Sequence, residues 1–139
     1  MAKTCFASLP DFANFDQAAL AAGLIPGPAR APARSPYYLP GTTAFFDTVN
    51  SPKGTVCFGV VESSDSKEAV GKAFMSAARA ATGGSGEAQP TSFYAIASYM
   101  PNGSLVTQDF RSASGRQDMS ILGVTKPIAK SQIPFFIYN

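Results

Sequence analysis

Histidine and tryptophan are both absent from the 139 residues. Without imidazole, Ser-His-Asp and Cys-His catalysis, histidine-ligated metals and histidine pH switches are excluded. Charge is also scarce. Charged residues make up 14% of the chain, against roughly 25% in ordinary globular proteins. The net charge of +2 is too small for a broad basic footprint on nucleic-acid phosphates. No apolar run approaches the ~18 residues of a membrane-spanning helix. The opening MAKTCFASLP lacks the apolar core of a signal peptide. Two expectations follow: a protein made without a signal, or a mature exported chain restarted at Met1. The only cysteines, Cys5 and Cys57, cannot form a structural zinc site alone. No metal or cofactor is expected.

What is present is enough apolar material for a core. Hydrophobic content is 45%, with 11 Phe and 5 Tyr, and the length suits a single domain over 1–139. In NFDQAALAAG, Asn14 and Gln17 have capping-box spacing and Gly23 suits a left-handed end, predicting a helix over Phe15 to Ala22. A Pro-rich connector at 25–41 follows. Its prolines exclude helix and central strand, so it should run extended over the surface, with Arg30 and Arg34 projecting.

TTAFFDTV and TVCFGVVES flank NSPKG, a hairpin pattern. TSFYAIASYM and SLVTQDFR flank PNG, where Asn102-Gly103 suits a type I′ turn. Between them DSKEAVGKAFMSAARAATG reads as a helix, with an Asp65–Glu68 capping box and a buried stripe of Val70, Ala73, Phe74, Ala77 and Ala81. Gly83 closes it. The two helix–hairpin units could be a degenerate duplication, but Pro-x-Gly turns are too common to establish one. The expected fold is α+β: an antiparallel sheet of four or more strands built from two hairpins, with two helices on one face. SASGRQDMS reads as a polar loop and ILGVTKPI as a further short strand. The apolar C-terminal segment at 133–139, with Pro134, reads as an edge strand completing the core or as an arm to a neighbouring chain.

Local chemistry is thin. Ser64-x-x-Lys67 matches the Ser-x-x-Lys pattern of penicillin-recognising acylases, but that fold's length and its other motifs are missing, and helix capping accounts for the residues. TGGSGE follows a helix rather than opening one, so it reads as a linker, not a phosphate cradle. Asp109, Arg111, Arg116 and Asp118 form a solvated rim or, with Lys126, a polar site; the rim is the simpler reading. Asn102-Gly103-Ser104 is formally a glycosylation sequon of a kind that arises by chance.

The cysteines keep two readings. Cys57 in TVCFGVV has no cationic neighbour to make a thiolate, so it is either a small core hydrophobe or half of a disulfide with Cys5. That disulfide would close a loop of about 50 residues and add roughly 4 kcal/mol by chain entropy.

The order of a cysteine before an Ala-rich helix ending Ala21 to Leu24, then TVCFGVVESSDSKEAV and a strand pair around PNGS, resembles a group of small exported two-cysteine bacterial proteins without assigned activity. The likeness runs from Cys5 to Arg111. It implies an envelope location, periplasmic or otherwise exported, and an oxidised cysteine pair; it carries over no catalytic residue.

The leading expectation is a non-enzymatic protein-interaction or accessory domain. Its contacts would be Arg30, Arg34, Tyr37 and Tyr38 on the connector, and Phe135, Phe136 and Tyr138 at the end. The alternatives are a structural subunit of a virion or surface assembly, using both segments as interchain arms, and a small-ligand or lipid-binding domain walled by Phe and Tyr. A protein partner or self-association is expected. Nucleic acid, a transmembrane segment and a small-molecule ligand are not.

Overall fold

The β-branched and aromatic run that starts at Phe45 lies in the middle of one antiparallel sheet. The computed structural model describes residues 1–28, 36–52, 54–112, 114–115 and 117–137. In chain order the elements are α1 (Phe15–Ala21), β1 (Ile25–Pro26), β2 (Tyr37–Tyr38), β3 (Phe45–Ser51), β4 (Gly54–Ser63), α2 (Lys67–Thr82), β5 (Glu87–Ala88), β6 (Ile96–Tyr99), β7 (Leu105–Arg111), β8 (Asp118–Thr125) and α3 (Ile133–Ile137). A 3-10 turn at Phe6–Ser8 precedes α1. The strands form an eight-stranded sheet in the order β1-β2-β3-β4-β8-β7-β6-β5. The chain is therefore α+β with an antiparallel sheet.

Strand alternation sorts the side chains onto two faces. Phe46, Cys57, Val106, Leu122 and Val124 join Phe6, Phe12 and Phe15, and Phe74 and Ala78 of α2, in one buried cluster. On the opposite face Ala97 and Leu105 pack against Ile133 and Ile137 of α3. Cys5 and Cys57, both fully buried, are joined by a disulfide with Cα atoms 5.5 Å apart and a sequence separation of 52. It fixes the N-terminal segment to the central strand β4 over the larger cluster.

Several local expectations are corrected. Ser51 pairs with Gly54, so strand pairing consumes most of the NSPKG link. The PNG turn is not type I′. Gly103 N donates to Met100 O at 2.9 Å, and Gly103 carries the positive φ of +88° while Asn102 does not. Pro101 takes the first central position, where its fixed negative φ suits a type I turn followed by a left-handed glycine. Asn14 is the N-cap of α1 but its side chain caps nothing. Its φ and ψ of −101° and 20° lie outside the extended region from which a cap reaches the first-turn amides. On α2 the cap is Ser66, whose Oγ accepts from Ala69 N at 3.2 Å, and not Asp65.

The buried side of α2 is Gly71, Phe74, Ala78 and Thr82, one residue round from the expected stripe, and Ala73 and Ala81 are exposed. TGGSGE is no free linker, because Glu87 already belongs to β5 and pairs with Tyr99. A Cβ on Gly86 would lie 2.4 Å from Ser98 Oγ and 2.9 Å from Tyr99 O, so glycine permits that strand to approach. Asp118, Met119 and Ser120 belong to β8 rather than to a loop. Finally, the C-terminal segment is helix, not strand: Pro134 falls in its first turn, where the missing amide costs nothing.

Candidate functional site

The α3 turn is placed by long-range hydrogen bonds rather than by its own five residues. Tyr99 donates its hydroxyl to Ile128 O at 2.8 Å, and Ile128 N donates to Gly103 O at 2.8 Å. Gln132 Oε1 accepts from Ala129 N at 2.9 Å, which closes the turn leading into the helix. Tyr94 then donates to Phe136 O at 3.3 Å. Ile133 and Ile137, one helical turn apart, face the sheet. Phe135 consequently points outward, 56% exposed. Phe136 is half-buried, with its ring tip 3.4 Å from where a Cβ of Gly54 would stand.

Two clefts meet at Phe136. One, of about 350 Å³, is lined by Phe93, Tyr94, Asp109, Arg111, Phe136 and Ile137. The other, of about 250 Å³, is lined by Pro52, Gln132, Phe135 and Phe136. Phe93, 64% exposed, borders the first as Phe135 borders the second. Arg111 engages Asp109 through Nε at 3.1 Å, and its side chain remains largely exposed at the mouth of the cleft. Burial first, and the Asp109 carboxylate second, hold the Tyr94 phenol above its ordinary pKa.

The structure uses the residues expected at contacts in different ways. Phe135 and Phe136 lie in this groove. Tyr37 and Tyr38 are half-buried in β2: Tyr37 meets Phe15 edge-on at 5.8 Å, and Tyr38 lies against Phe45 at 5.7 Å and over Gly27. Arg30, Arg34 and Tyr138 lie outside the described residues. Of the polar set, Asp109 and Arg111 come together. Asp118 accepts instead from Ser112 Oγ at 2.8 Å, and Lys126 follows the opposite end of β8. Arg116 also lies outside the described residues.

Lys67 sits over the Phe110 ring at 5.9 Å, a solvated cation–π position. Among the described residues no three His, Cys, Asp or Glu side chains gather to hold a metal, and no helix is long and apolar enough to cross a membrane. Phe93 and Tyr94 were missed in the sequence because nothing local marks them: they join Phe136 from more than 40 residues away. Compared with known proteins, the chain matches no family model, no curated protein and no solved structure.

Proposed function

We propose that the chain is a non-enzymatic protein-interaction domain whose contact surface is the groove along α3. The observation that carries this reading is the placement of Phe93 and Phe135. Both are large, exposed aromatic side chains, and both border clefts that share Phe136. Solvated aromatic side chains beside a preformed cleft are the usual anchors of a protein contact. The occupant is an extended segment of a partner protein. It places apolar side chains against Phe136 and a carboxylate on the exposed edge of Arg111, which favours planar carboxylate recognition.

The sheet edges support contact through the groove rather than strand addition. The outermost strands are two residues long, one containing Pro26 and the other Glu87, and short edges with proline or charge resist further pairing. A buried disulfide is compatible with an oxidising compartment, which supports an exported, envelope setting for this domain. The test is selection of a displayed peptide library on the intact chain, repeated on Phe93→Ser and Phe135→Ser. The expected result is enrichment of apolar–acidic peptides whose binding both substitutions weaken. Peptides indifferent to both substitutions, or no enrichment, overturn the reading.

A further inference from the structure

The turn between β6 and β7 carries the only Asn-Gly pair in the sequence, Asn102-Gly103, and Asn102 is exposed. The pair is chemically labile, because glycine has no side chain to keep its nitrogen from closing on the preceding amide. In that reaction Gly103 N loses its proton and attacks Asn102 Cγ. The N–Cγ bond forms, the Cγ–Nδ2 bond breaks, and Nδ2 leaves as ammonia. Water then opens the cyclic imide at either carbonyl, giving aspartate or isoaspartate. The isoaspartyl chain runs through Cβ and Cγ, so its backbone is longer by one carbon.

The folded turn engages both reacting groups. Gly103 N donates to Met100 O at 2.9 Å, and Asn102 Oδ1 accepts from Ser104 N at 3.0 Å, an Asx turn. Met100 N donates to Ser104 O at 2.8 Å and closes the hairpin around them. Ser104 is fully buried, and its hydroxyl has no hydrogen-bond partner among the described residues. At that depth the hydroxyl of the Asn102-Gly103-Ser104 sequon is closed to a glycosyl transferase, which leaves the Asn102 amide as the group open to change.

Gly103 also ties down the last helix. Its O accepts from Ile128 N at 2.8 Å, and Ile128 O accepts from the Tyr99 hydroxyl at 2.8 Å. A Cβ on Gly103 would stand 3.4 Å from Pro127 Cβ and 3.6 Å from Ile128 O, so the segment entering α3 packs directly on the glycine. An extra carbon between Asn102 and Gly103 displaces the group that holds this segment.

We propose that Asn102 is a latent modification site: the turn keeps it unreactive, and its conversion to isoaspartate releases the α3 segment. No partner in the α3 groove is required. The experiment ages the folded chain beside reduced chain unfolded in guanidinium chloride, both in mildly alkaline buffer. Peptide mass mapping and isoaspartyl methyltransferase locate the products.

In the unfolded chain Asn102 should convert ahead of Asn14 and Asn50, which precede Phe15 and Ser51. In the folded chain it should convert about tenfold more slowly or less, the factor set by a turn-opening cost of about 1.4 kcal/mol or more. Isoaspartyl chain isolated from long-aged folded protein should lose exchange protection at the Ile128 amide and shift the NMR resonances of Ile133–Ile137. Asn102→Asp adds the charge without the carbon and still accepts from Ser104 N, so it should keep both. Equal conversion rates in folded and unfolded chain overturn the proposal. So does an isoaspartyl chain with Ile128 still protected, or loss of that protection in Asn102→Asp.

Discussion

The hydroxyl of Tyr94 donates to the main-chain carbonyl of Phe136, 42 residues away, at 3.3 Å. This bond ties the last helix to the loop before β6 and gives the α3 groove its inner wall. The same phenol is held above its ordinary pKa by burial and then by Asp109. The folded chain therefore keeps the proton more tightly than the unfolded chain. The resulting stability is complete below the unfolded tyrosine value of about 10 and is lost as pH rises through the higher folded value. Denaturant midpoints measured from neutral to strongly alkaline pH should fall less steeply above pH ~10 in Tyr94→Phe than in the parent. Asp109→Asn should leave the shift in place but smaller, because burial is its larger cause. Identical alkaline profiles for parent and Tyr94→Phe would show that the phenol is not protected.

The disulfide between Cys5 and Cys57 predicts a large and specific loss. It spans a sequence separation of 52, for which chain entropy gives about 4 kcal/mol. Cys5→Ser with Cys57→Ser should therefore lower the melting temperature by on the order of 10 °C or more. Intact-mass analysis should find no alkylation in unfolded, unreduced chain and two labels after reduction. Two labels without reductant would contradict the bond directly.

Much of the central architecture was legible because local and global signals agree there. β3, β4 and α2 lie in the segments that alternation and helical periodicity mark, although Ser66 rather than Asp65 caps α2 and its buried side is one residue round, and Gly83 ends α2 in the left-handed region with φ of +89°. The C-terminal segment failed because IPFFI is a short apolar run that periodicity cannot assign, and the Tyr99 and Tyr94 hydroxyls that position it come from distant strands. Asp118 to Ser120 looked like loop because polar Asp118 and Ser120 on either side of Met119 hide a strand that pairs on both sides, with β4 and with β7. Of the sites, only Phe135 and Phe136 were legible, as unplaced apolar residues. Phe93 gains meaning only from tertiary neighbours.

Gly86 tests the reassignment of the glycine-rich stretch from linker to strand entry. Its missing Cβ faces Ser98 Oγ, Met100 Sδ and the rigid main-chain Tyr99 O, all within 3 Å of the position a Cβ would take. Gly86→Ala should destabilise the chain by about 1–3 kcal/mol, the ordinary range for overpacking. Ser85→Ala, one residue earlier and exposed, should change stability by no more than ~0.5 kcal/mol. Chemical denaturation of the pair decides it, since a true flexible linker would accept both substitutions equally.

The α3 groove predicts a separation between residues that hold the helix and residues that face a partner. Ile137 is 3% exposed beneath α3, so Ile137→Ala should cost about 2–5 kcal/mol by leaving a cavity. Phe93 and Phe135 are more than half exposed and touch little that folding needs. Phe93→Ser and Phe135→Ser should each leave stability within about 0.5 kcal/mol of the parent. Each should nevertheless weaken a peptide selected on the parent chain by roughly tenfold or more, as loss of an aromatic anchor does. Denaturation midpoints and fluorescence anisotropy on the same preparations keep the two effects apart. If binding falls only in the variants that also lose stability, the groove is packing and not a contact surface.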